Sequence, residues 1–191
     1  MSERNKDERS GKIVFVSNCL LNANNKVLEF ARYPGMFSEI VKILDKYGLG
    51  VQQMPCPETL YMGNQRWWHA RNLYDNAGFR RFCRELAEQT VDYLQNYQIV
   101  GYHSVAILVC DGSPTCGYNI SSHYENGGGH PAEPVRSLKE MPGVFTEELM
   151  KAAKDRGVEL PPIYGLPMDN RDKTTEEIIA DFEQFIAEHS A

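Results

Sequence analysis

Ser104-Val-Ala-Ile-Leu-Val109 is an almost unbroken apolar, β-branched run. It is too short for a helix and predicts a strand buried on both faces, as strands of parallel sheets are. Working outward, Ile13-Val-Phe-Val16 has the same character, and Val51 to Met54 is a weaker strand ending at Pro55. Between these lie stretches of helical period. Met36, Phe37, Ile40, Val41, Leu44 and Tyr47 share one face, and Gly48 stops the pattern. From Gly78 to Tyr97, Phe79, Phe82, Cys83, Leu86 and Leu94 face one way with charges opposite. Downstream, Phe145 to Arg156 reads as helix, Ile163-Tyr164 as a short strand, and Thr174-Thr-Glu-Glu177 as a capping box opening a last helix. Asp111 to Pro142, rich in glycine and proline, reads as loop.

Strand and helix in alternation predict an α/β fold: a three-layer, Rossmann-like parallel sheet with helices on both faces. The chain has 191 residues, 42% of them hydrophobic, which suits a single domain over 12–191 behind a disordered polar tail at 1–11. A formal net charge of −6 argues against nucleic acid as a partner, because phosphate calls for a basic face. No apolar run approaches the roughly 18 residues of a membrane span. The charged opening lacks the apolar core of a secretory signal, so a cytoplasmic protein is expected. Five cysteines, an odd number in a reducing compartment, point to thiols or metal ligands rather than disulfides.

In open parallel sheets, ligands bind beyond the carboxyl ends of the strands. Three motifs stand there: Val16-Ser-Asn-Cys19-Leu-Leu21, Pro55-Cys56-Pro57-Glu58, and Cys110-Asp-Gly-Ser113-Pro-Thr-Cys116-Gly117. Folding should therefore carry Cys19, Cys56 and Cys116 to one edge. Thiolates without histidine select zinc or iron–sulfur over hard cations. On the residues alone, these cysteines read either as metal ligands or as small core residues.

Together the motifs resemble the 2-thiouracil desulfurase family, whose members carry V-S-x-C-L-L, a central C-P-E, and S-P-x-C-G. Gly143-Val-Phe-Thr146 is similar to that family's G-V-x-T helix start. The resemblance runs in order from about Ile13 to Gly157. It implies a 4Fe-4S cluster on Cys19, Cys56 and Cys116 with one iron free of protein. It further implies Glu58 as catalytic carboxylate, Ser113 as catalytic hydroxyl, and a thiolated small molecule, such as a thiopyrimidine, as substrate for non-redox hydrolysis. The chain departs from the family where C-R-Y-D-G is replaced by Asn22-Ala-Asn-Asn-Lys-Val27, and where G-G-L-P gives way to Thr59-Leu-Tyr-Met-Gly63. It reads as a divergent branch. Two competing readings are a non-catalytic iron–sulfur carrier or sensor, and a zinc or thiol-redox protein using Cys110 and Cys116.

Other residues carry two readings each. Glu58 also suits a helix cap, and Ser113 an ordinary turn. Cys110 reads as a buried hydrophobe or a neighbour of the cluster, and Cys83 as core. His69, Trp67 and Trp68 suit either a substrate wall or a surface loop. Arg66 and Arg71 read as solvated charges. His103 at a strand start reads as structural. His123 and His130 flank Gly127-Gly-Gly129, a floppy loop or a lid.

Overall fold

The computed structural model describes residues 7–127, 133, 135–168 and 172–190. Four parallel strands form its main sheet: β1 (Lys12–Ser17), β2 (Gly50–Met54), β3 (His103–Cys110) and β6 (Ile163–Leu166), in the order β2-β1-β3-β6. Val14 pairs with Val51 on one side and with Ala106 on the other, while Leu108 pairs with Tyr164. The side-chain period of two divides each central strand between two cores. Phe15, Ile107 and Val109 face α5 (Ala77–Ile99) and α6 (Val144–Asp155), where Phe79, Leu94, Phe145 and Leu149 are buried. Val14, Val16 and Leu108 face α2 (Ser38–Lys46) and α7 (Thr175–His189), meeting Ile40, Leu44, Phe182 and Ile186. Helices on both faces of a parallel sheet make the expected three-layer α/β architecture. Among the described residues, no helix is long and apolar enough to cross a membrane.

The predicted helices and strands all form, with shifts of a residue or two at their ends. Thr174 and Glu177 make the reciprocal capping box. β2 was the weakest strand signal because it is an edge strand, with Val51 left exposed. The stretch 111–142, read as loop, instead contains an antiparallel pair, β4 (Ser121–Tyr124) and β5 (Arg136–Lys139). Their side chains, Ser-Ser-His-Tyr and Arg-Ser-Leu-Lys, carry no apolar alternation. The pair docks on the one-turn helix α4 (Arg71–Tyr74): Asn72 Nδ2 donates to the Tyr124 carbonyl at 3.0 Å, and the Tyr124 amide donates back to Asn72 Oδ1 at 3.1 Å. Such strands are held from outside and leave no periodic trace. Of the expected tail over 1–11, residues 1–6 lie outside the described residues, while Arg9 reaches the Tyr102 hydroxyl and the His103 amide donates to the Gly11 carbonyl.

Arg71 is no solvated charge. It is buried and donates to Pro142 O at 2.8 Å, Asp75 at 2.6 Å and Glu147 at 2.5 Å. Arg80 joins the same network through Asp75, Glu147 and Glu148, tying α5 to α6. Hydrogen bonds from Arg80, and then from Arg71, hold the Asp75 carboxyl below its ordinary 3.8. A depressed folded value means that stability is complete above about that pH and is lost as pH falls through the folded value. The stability gap between wild type and Asp75→Asn should therefore narrow between pH 6 and pH 3 in urea melts. A gap that widens on acidification would contradict this.

Candidate functional site

The centre of the sheet fixes where chemistry can gather. From β1 the chain crosses to β2 by α2 on one face, and from β2 to β3 by α5 on the other. β1 and β3 therefore lie side by side at a topological switch point, where crossovers diverge and leave a crevice. α1 (Asn18–Leu21) follows β1 directly and carries Cys19. Cys110 ends β3, Cys56 caps α3 (Pro57–Met62) beyond β2, and Cys116 stands in the turn after β3. All four line a single cleft of about 740 Å³, partly open to solvent, together with Glu58, Ser113 and Thr115. The three cysteines, the carboxylate and the hydroxyl nominated from sequence are thus brought together.

The thiols are tightly packed. A hydrogen bond with Cys110, and then burial, push the Cys19 thiol well above its ordinary value. Burial does the same to Cys116, and burial with help from Glu58 also raises the Cys56 thiol. Lys26 Nζ lies 3.5 Å from Cys110 Sγ. A metal must displace these thiol protons to bind. Cys110 is thus a cleft residue and not merely part of the apolar core. Cys83 behaves as expected, enclosed in the core with its thiol pushed up to about 12 by burial.

Glu58 occupies the first turn of α3 but caps nothing. Its Oε2 accepts from Arg66 Nε at 3.0 Å and from the Tyr74 hydroxyl at 3.4 Å, and its Oε1 accepts from Thr115 Oγ1 at 2.7 Å. Arg66 is only 7% exposed and also donates to the carbonyls of Asn25 at 2.6 Å and Gly63 at 3.1 Å. Arg66 is therefore the buried counter-ion of Glu58, which corrects its reading as a solvated charge. An arginine eight residues beyond a carboxylate has no periodic signature, so nothing in the sequence marked the pair. Thr115 is wholly buried and was also unmarked.

The turn bearing Cys116 is built from the inside. Ser113 Oγ accepts from the amides of Thr115 at 3.3 Å and Cys116 at 3.1 Å, the turn role its place before proline suggested. Asp111 accepts from the Tyr118 and Asn119 amides, closing the turn's far side. The first amides of α6 lack partners within their own helix. They bond outward: Val144 to Pro114 O at 3.1 Å, and Phe145 to Thr115 O at 2.9 Å. Thr146 Oγ1 donates to Cys116 O at 3.0 Å. The Gly143-Val-Phe-Thr146 motif thus serves as the seat of the Cys116 turn.

The mouth is aromatic. Trp68 Nε1 donates to Leu28 O at 2.9 Å, Tyr124 to Trp68 O at 2.7 Å, and Phe30 meets Trp68 edge-on. Arg136 lies over the Phe30 ring, and Trp67 is 82% exposed. His69 lines the cleft and touches Tyr74. His123 lies on β4 outside the lining, and His103 bonds His189 O at the start of β3. His130 and two glycines of the suggested lid, Gly128 and Gly129, lie outside the described residues.

Fold and site define the class as an α/β protein of parallel sheet with a cysteine-lined cleft at its switch point. The chain is 37% identical, over 105 residues, to an uncharacterized protein of Methanocaldococcus jannaschii, MJ0003, across 55% of this chain and 67% of that protein. It belongs to the same family as MJ0003. No family model and no solved structure matches the chain.

Proposed function

We propose that this protein is an iron–sulfur-dependent desulfurase that hydrolyses the carbon–sulfur bond of a thiolated small molecule. The observation that carries the reading is the convergence of Cys19, Cys56 and Cys116 on one cleft that also holds Glu58 and Ser113. The thiol-rich donor set fits a 4Fe-4S cluster, held by those three cysteines. Among the described residues, no three His, Cys, Asp or Glu side chains are grouped to hold a single metal ion. A cluster distributes its thiolates over several irons, so that finding does not bear on it.

When bound, the cluster supplies an iron without a protein ligand, a Lewis acid for soft sulfur. The overall reaction, R₂C=S + H₂O → R₂C=O + H₂S, transfers no net electrons. Glu58 acts as the base, taking a proton from the attacking water at a carboxylate oxygen. Arg66 and Thr115 hold that carboxylate in place from either side. Ser113 orients water or substrate through its hydroxyl hydrogen. The aromatic mouth suits a planar heterocycle, which Trp68 and Phe30 would flank. Lys26 stands beside Cys110 and Cys19, and its ammonium offsets negative charge gathered there.

The test is anaerobic reconstitution with iron and sulfide, followed by metal counting and assay of sulfide release from 2-thiouracil. Wild type should take up about four irons, the stoichiometry of this cluster type. Cys19→Ala, Cys56→Ala and Cys116→Ala should each lose most of that iron and all sulfide release. Zinc in place of iron, or iron bound equally well by all three variants, would defeat the proposal. Iron uptake without sulfide release would leave a carrier or sensor instead.

A further inference from the structure

Between the two residues assigned to the chemistry stands a third. Thr115 Oγ1 lies 2.7 Å from Glu58 Oε1 and 3.4 Å from Ser113 Oγ, with Cys116 Sγ at 3.6 Å. A threonine hydroxyl has one hydrogen to give. The short contact to a carboxylate, the stronger acceptor, assigns it to Glu58 ahead of the Cys116 sulfur. Ser113 Oγ already accepts two backbone amides, so its own hydrogen is the donor left to this trio. The 3.4 Å step to Thr115 is long for a hydroxyl pair, so that hydrogen stays available to water or substrate.

We propose that Thr115 is a positioning residue that fixes Glu58 as the hydrogen-bond acceptor of the site and Ser113 as its donor. The inference rests on the desulfurase reading and deepens it. Arg66 anchors Oε2 of the carboxylate while Thr115 anchors Oε1, so the group is clamped from both sides. Without Thr115 the Oε1 arm loses its donor, and the carboxylate is free to turn about its remaining anchor. Misplacing a base by a fraction of an ångström reduces turnover far more than it weakens binding.

The experiment uses reconstituted full-length protein and 2-thiouracil. Thr115→Val keeps the shape and removes the hydroxyl; Thr115→Ser keeps the hydroxyl. The expected result for Thr115→Val is a fall in kcat of at least about tenfold with KM changed less than about twofold, the signature of a group acting in the transition state. Thr115→Ser should recover kcat to within about threefold of wild type. Iron per chain, counted in each variant, should match wild type, because Thr115 serves the ligand turn through its backbone amide and carbonyl, which the substitution leaves in place. If Thr115→Val fails to fold, Thr115→Ala set against Thr115→Ser makes the same comparison. The proposal is overturned if Thr115→Val turns over as wild type does, if Thr115→Ser is equally impaired, or if Thr115→Val loses iron. An iron-loaded wild type that releases no sulfide fails at the earlier step: it removes the desulfurase reading, and this inference with it.

Discussion

Arg66→Ala should destabilise the protein by about 3–5 kcal/mol, the usual cost of stripping one partner from a buried ion pair. The Arg66 side chain is 2% exposed and the Glu58 side chain 11%. Truncating the arginine leaves Glu58 enclosed with hydroxyl donors but no counter-charge. It also removes the charged donor shared by the Asn25 and Gly63 carbonyls, so the chain segments walling the cleft lose their common anchor. At roughly 2–4 °C per kcal/mol for a chain this long, the melting temperature should drop by on the order of 10 °C. The double variant Glu58→Leu/Arg66→Met should lose clearly less than the two single variants summed, because no lone charge remains buried. Additive losses would mean the pair is not coupled. The consequence for enzymology is direct: Glu58→Ala confounds lost chemistry with lost structure. Glu58→Gln, compared at matched melting temperature, is the cleaner probe of catalysis.

Gly143→Ala should damage fold and site together. A Cβ at this position would fall well inside contact distance of the Thr115 carbonyl and 2.8 Å from the Cys116 amide nitrogen. The obstacles are backbone atoms, fixed by the bonds from Val144 and Phe145 into the 114–115 carbonyls. Neither side can yield alone, so α6 must draw back or the cysteine turn must move. Overpacking typically costs about 1–3 kcal/mol, and a site walled by backbone belongs at the upper end. The turn carries Thr115 and Cys116, so iron uptake on reconstitution should also fall several-fold. Gly35→Ala is the control: nothing lies within 4 Å of its would-be Cβ, and the variant should behave as wild type. Equal stability and equal iron uptake for the two alanine variants would refute this account of the Gly143-Val-Phe-Thr146 seat.

What could be read beforehand differs between the fold and the site for a physical reason. Ser104 to Val109 and Ile13 to Val16 announced buried parallel strands because burial on both faces demands continuous apolar runs. The long helix announced itself through Phe79, Cys83, Leu86 and Leu94, whose spacing is that of one face. Thr174 and Glu177 did the same at short range. Each is a local constraint, written within a few neighbouring residues. The paired strands at Ser121–Tyr124 and Arg136–Lys139 leave no apolar signal because no apolar face drives them; the side-chain amide of Asn72 on α4 holds the Tyr124 backbone of one of them.

The sequence by itself determined the three-layer sheet, and from the strand ends it brought Cys19, Cys56, Cys116, Glu58 and Ser113 to one edge. Only the tertiary structure decided how those groups are held. It buried Arg66 against Glu58, set Thr115 between Glu58 and Ser113, admitted Cys110 and Lys26 to the cleft, and seated the Cys116 turn on α6. Apolar periodicity records which way a residue faces relative to its near neighbours, whereas the partner of a buried polar group is chosen by chain segments that meet only after the sheet has formed.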